Sequence, residues 1–128
     1  MELGEYINCL EKIKNLQYIV PIGIGKCGSW RGSYDELYFS PVENTTVHDM
    51  LANAKGALKE TFYGYKGGEY QMTRNTEIHI ERDYGSWTDG GYVAWFIKTK
   101  LNPDIDVDGR TEDWLVRKAI SLITGGII

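Results

Sequence analysis

Cysteine and histidine are scarce in this chain, with two residues each, and there are only three prolines. Two cysteines, Cys9 and Cys27, cannot build the disulfide framework that staples small secreted domains, and neither has partners at metal-ligand spacing. Cys9 falls on an apolar helical face, which reads as a buried, reduced thiol and points to an intracellular compartment. Two imidazoles, His48 and His79, leave little material for a catalytic triad, and no nucleophile signature surrounds either. Basic runs are lacking, and the formal net charge is −4, which argues against a generic duplex-binding protein. A long apolar run is lacking too, as is an apolar stretch of signal-peptide type near the start. Neither secretion nor membrane insertion is expected. Phenylalanine is rare at three residues, whereas there are nine tyrosines and four tryptophans. Aromatics of that kind carry a polar tip and suit binding surfaces as well as the edge of a core.

The 128 residues suit one domain spanning 1–128, and the apolar share of 42% is ordinary for a globular chain. Leu3, Tyr6, Ile7, Leu10, Ile13 and Leu16 recur at three- and four-residue steps and predict an amphipathic helix over 2–16. Tyr18–Ile22 reads as a short strand, placed at a sheet edge by Pro21. The glycines from Gly23 to Gly32 predict a loop; its GIGKCG lacks the ending of a phosphate-binding P-loop. Glu36–Ser40 reads as a second strand closed by Pro41. Thr46 is a fitting N-cap for a helix over Val47–Lys59, with Asp49 three residues on. His48, in the first turn of that helix, reads as a surface residue. Thr61–Tyr65 and Glu69–Met72 predict a hairpin around Lys66-Gly67-Gly68. Thr76–Glu81 alternates, which predicts a half-buried strand with His79 and Glu81 on its polar side. Tyr92–Lys98 is apolar on both faces and predicts a central strand with Trp95 buried. Thr111 caps a final helix over Glu112–Thr124, ended by Gly125-Gly126. These elements predict an α+β domain: a small antiparallel sheet with an N-terminal, a middle and a C-terminal helix.

Two stretches repeat one chemistry. In Gly28–Pro41, Trp30 precedes Arg31, with Gly32, Ser33 and Tyr34 following. In Thr61–Glu81, Tyr63 and Tyr65 precede Lys66, with Gly67 and Gly68 following. Glycines let a backbone approach a ligand and offer N–H donors to phosphate oxygens. Arginine adds a planar two-pronged donor. Aromatic faces stack on bases for about 1–3 kcal/mol each. We therefore read Trp30, Arg31, Tyr34, Tyr63, Tyr65, Lys66, Gly67 and Gly68 as the walls of one ligand site, with Arg31 and Lys66 converging on it. Asp104, Asp106, Asp108 and Glu112 match a calcium-loop spacing, but Asn102-Pro103 blocks the preceding helix and Leu115 stands where the twelfth-position glutamate belongs. An acidic turn that caps the last helix is the favoured reading. No catalytic residue, metal ion or cofactor is assigned.

The motifs SWRGSYDELYFSP, TTVHDMLANAKGAL, TFYGYKGGEYQM and NTEIHI resemble those of a family of small bacteriophage proteins. The family's pattern is S-[YW]-R-G-x-Y-x-x-L-x-F-x-P, then T-V-x-[DE]-M-L, then G-[WY]-K-G-G-[DEF], then T-x-[VC]-W. The likeness runs in order from Val20 to Ile80 and fades beyond Tyr84. Trp30 stands at the first aromatic position, and His79 replaces an aromatic near the end. The resemblance implies a phage protein working in the cytoplasm of an infected cell. Some small phage proteins sequester nucleotide immune signals, and analogy of size and source extends that expectation to this chain. The expected function is thus non-enzymatic sequestration of a phosphate-bearing nucleotide signal, as a homo-oligomer, without duplex nucleic acid or membrane as partner. An inhibitor that binds a host protein is the alternative, and a nucleotide-cleaving enzyme the third reading.

Overall fold

The structure is a computed structural model, and it describes residues 1–64, 66–82 and 91–126. The chain is mixed α+β, with small, mostly antiparallel sheets. The first helix, α1, spans Leu3–Glu11 and ends earlier than the periodicity predicts. Its start is fixed by a capping box, in which the Glu2 side chain takes an N–H of the first turn and Glu5 accepts the Glu2 N–H at 3.3 Å. Leu3, Tyr6, Ile7 and Leu10 are buried, while Leu16 lies past the helix and is exposed. The Tyr6 ring meets Phe39 edge-on at 5.6 Å.

The predicted loop at Gly23–Gly32 is mostly strand. β1 runs Ile19–Trp30 and turns at Arg31-Gly32 into β2, Ser33–Thr46. Antiparallel pairing extends from Ile19↔Thr46 to Trp30↔Ser33, with irregularities between Ile24 and Cys27 and between Ser29 and Trp30. The glycines mislead because they sit inside the ladder where a partner's side chain needs room. A Cβ on Gly28 would stand 2.5 Å from the ring of Tyr38, its cross-strand neighbour. Pro41 does not close β2 and Asn44 does not stop it; β2 runs on to Thr46. β1 is an edge strand, as Pro21 predicts.

Thr46 ends β2 and caps α2, Val47–Gly56, its hydroxyl accepting the Asp49 N–H at 3.1 Å. A hairpin of β3, Thr61–Tyr63, and β4, Glu69–Gln71, forms its own two-stranded sheet, with Gly67 at φ 88° in the turn. β5, Ile78–Ile80, joins β2 in parallel, Leu37↔Ile78 to Phe39↔Ile80, so one pair departs from the predicted antiparallel sheet. Every residue of β5 is buried, because elements cover both of its faces, and His79 and Glu81 are buried rather than on a wet side.

Tyr92–Lys98 is not a strand. A helix, α3, covers Gly91–Phe96 and continues as a π-helical turn, Ile97–Leu101, closed by the Asn102 N–H to the Ile97 carbonyl at 2.8 Å. The buried residues are Val93, Phe96 and Ile97, at three- and four-residue spacing, and Trp95 is 42% exposed. A run of β-branched and aromatic residues favours strand only where a pleated neighbour waits for it. The last helix, α4, spans Glu112–Ile123; Thr111 caps it, accepting the Trp114 N–H at 3.2 Å. Gly125 and Gly126, both at positive φ, end it by donating to the Leu122 and Ser121 carbonyls. Of the stretch Asp83–Gly91, whose glycines read as a loop, Gly91 opens α3 and residues 83–90 lie outside the described residues.

Candidate functional site

The two aromatic turns adjoin through Tyr34. Its ring lies 5.9 Å from that of Tyr70, and a Cβ on Gly64 would come within 2.9 Å of it. Arg31 and Gly32 form the exposed tip of the β1–β2 hairpin, and Lys66, Gly67 and Gly68 the exposed tip of the β3–β4 hairpin. Tyr63 is 63% exposed. Tyr65 lies outside the described residues. Trp30 is buried, and its ring is stacked on His79 at 4.1 Å and 10°.

That stack opens onto a cluster that no spacing in the sequence revealed. β5 delivers His79, β2 delivers Glu36, and the first turn of α4 delivers Glu112. His79 donates through Nε2 to Glu36 at 2.7 Å and through Nδ1 to Glu112. Burial by itself pulls the His79 pKa down, but the bonds and charges of Glu112 and Glu36 outweigh it, so the pKa lies above its ordinary value. A cavity of about 210 Å³ lies beside it, rimmed by Glu77 and Asp113. The Met1 ammonium donates to Glu77 at 3.1 Å and to Asp113. Both ring nitrogens of His79 face carboxylate oxygens, an arrangement that favours the doubly protonated ring. The cluster ties β2, β5 and α4 together.

A second arrangement is open. Arg82, just past β5, holds its guanidinium 5.3 Å from the ring centroids of both Tyr92 and Trp95 and donates from Nε to the Tyr92 hydroxyl at 3.2 Å. The Tyr92 and Trp95 rings are themselves stacked at 5.5 Å. These groups wall a cleft of about 410 Å³ between the β1–β2 hairpin and α3. Ile22 adds apolar surface, backed by the nearly fully buried Phe96, Lys100 of the π-helical turn adds an ammonium, and Ser40 to Glu43 of β2 form the facing wall. The size falls in the range of small-molecule sites. Aromatic faces with cations is the chemistry expected at Arg31 and Lys66; here the rings, Tyr92 and Trp95, come from the stretch read as a central strand, and the cations, Arg82 and Lys100, from positions given no role in the sequence.

Cys27 lies near Tyr6, and burial pushes its thiol up to about 11, so it is not a thiolate nucleophile at neutral pH. In the acidic loop, Asp106 accepts the Asp108 N–H at 3.1 Å, a local turn, and Glu112 is spent on His79. Among the described residues, no helix is long and apolar enough to cross a membrane. In comparisons with known proteins, no family model, no curated protein and no solved structure matches the chain.

Proposed function

We propose that this protein binds and sequesters a small ligand carrying both an aromatic ring and negative charge, a phosphate-bearing nucleotide signal, without chemical conversion. The observation that carries the reading is the Arg82 guanidinium held over Tyr92 and Trp95 in an open cleft. A base stacking on Trp95 gains about 1–3 kcal/mol, and phosphate oxygens take the guanidinium and the Lys100 ammonium. The turns at Arg31 and Lys66 form a second aromatic and cationic surface, which a further copy of the chain in a homo-oligomer brings to a large ligand. The phage-type motifs favour a nucleotide of antiviral signalling in the infected cell. To test this, the pure protein is mixed with a panel of cyclic mono-, di- and trinucleotides and cyclic ADP-ribose-type molecules, washed and heat-denatured. Intact release of a panel member is the expected result. An altered product points instead to a nucleotide-cleaving enzyme, and no capture removes the sequestration reading.

One observation favours a second reading, an inhibitor that binds a host protein. Leu16, Tyr18 and Ile19 are exposed together where the chain enters the edge strand β1. Ile19→Asp separates the two readings: it leaves nucleotide capture intact, and it abolishes binding to a host protein.

A further inference from the structure

The cleft holds a residue that simple anion binding does not want. Glu43 lines it together with Arg82 and Lys100, is exposed, and pairs across the ladder with Ile22, which lines it too. Among the described residues, Glu43 and Lys100 enter no ion pair, with each other or with another group. Opposite charges therefore face one cleft without closing on each other. A carboxylate in an anion site repels the ligand unless the ligand brings hydrogen-bond donors to it, since an ionised carboxylate only accepts.

Resting on the nucleotide reading above, we infer that Glu43 is the specificity residue of the cleft. It accepts a vicinal pair of donors from the ligand while Arg82 and Lys100 take the phosphate and Trp95 the base. Two parts of a nucleotide carry such a pair: the ribose diol, and the guanine edge with its N1–H and N2–H₂. Inorganic phosphate and aromatic acids lack both. The ligand class is thus a nucleoside phosphate with a free diol or a guanine base.

The test is calorimetric titration of wild type, Glu43→Ala and Arg82→Ala with guanosine and adenosine 5′-monophosphates and their 2′,3′-dideoxy forms. If the diol is read, wild type prefers both ribonucleotides over the dideoxy forms by about 10- to 100-fold, the range of a charge-assisted hydrogen bond. If guanine is read, wild type prefers both guanine nucleotides whatever the sugar. In either case Glu43→Ala erases the preference and binds the disfavoured nucleotides as well as wild type or better, because a repelling charge is gone. Equal binding of all four by wild type and Glu43→Ala alike overturns the inference and leaves the nucleotide reading standing. Binding of none of the four by wild type overturns the inference, and the nucleotide reading falls with it only if the cyclic panel is not captured either. Arg82→Ala loses all four if that reading holds. Glu43 is exposed, so unchanged melting of Glu43→Ala is expected and rules out misfolding as the cause.

Discussion

The His79 cluster and the Arg82 cleft use the same materials, aromatic rings and charges, to opposite ends. At His79 the ring stack is closed, each nitrogen meets a carboxylate, and the charge is satisfied inside the protein. At Arg82 the guanidinium lies over Tyr92 and Trp95 beside an open volume, and Lys100 and Glu43 stay apart. A charge answered by the protein's own groups ties elements together. A charge left facing a cleft has binding energy to give to something else. Strand burial decides which is which: β5 is covered on both faces, whereas α3 leaves one side wet.

The largest effect that probes this contrast is on stability. Phe96 is fully buried on the core side of α3, so Phe96→Ala should cost about 3–5 kcal/mol in chemical denaturation. Trp95→Ala, one residue away, should cost under about 1 kcal/mol, as exposed substitutions do. Equal costs would mean that α3 does not present Trp95 to the cleft.

His79→Ala leaves Glu36 and Glu112 facing each other without the cation between them. It should lower stability by about 3 kcal/mol, a loss typical of a broken buried ion pair. Nucleotide capture should change little. A His79→Ala protein that melts like wild type but binds nothing would make the cluster a ligand site and erase the contrast.

Arg82→Ala should do the reverse. Capture of the panel nucleotide should fall more than about tenfold, since hydrogen bonds to charged groups contribute about 1.5–3 kcal/mol, while the melting temperature moves by little. Trp95→Ala should weaken capture less, by the loss of one stacking face.

The smallest effect is the pH dependence of the cluster. His79 has a folded-state pKa above its ordinary value. Its stabilising contribution is therefore fully present below the unfolded value, about 6.5, and is lost as pH rises through the folded value. The stability gap between wild type and His79→Gln, followed by urea melts, should narrow as pH is raised. A gap that widens with pH would mean that burial wins and the ring is held neutral.

Local features are legible in the residues themselves. Thr46 and Thr111 read as caps, Gly67 as the hairpin turn and Gly125-Gly126 as the helix stop, and each holds that place in the fold. A cap or a turn is a contact across three or four residues, so the chain carries it wherever it goes. The stretch Glu112–Thr124 also reads as a helix, and it buries Leu115, Val116, Ala119, Ile120 and Ile123 on one face. The stretch Tyr92–Lys98 defeats the same logic: apolar on every side, it has no period that separates strand from helix, and packing chose the helix.

What the sequence by itself determined is where α1, α2 and α4 begin, where α4 stops, where the hairpin turns, and that cations lie among aromatics. Only the tertiary structure decided which of those cations are spent and which are open. The parallel register of β2 with β5 and the docking of α4 bring Glu36 and Glu112 to His79 from 43 and 33 positions away. The helical turn of residues 91–101 places Trp95 and Lys100 on the cleft that Arg82 and Glu43 also line. Such contacts depend on how burial is shared among all the elements at once, and no short window of residues contains that information.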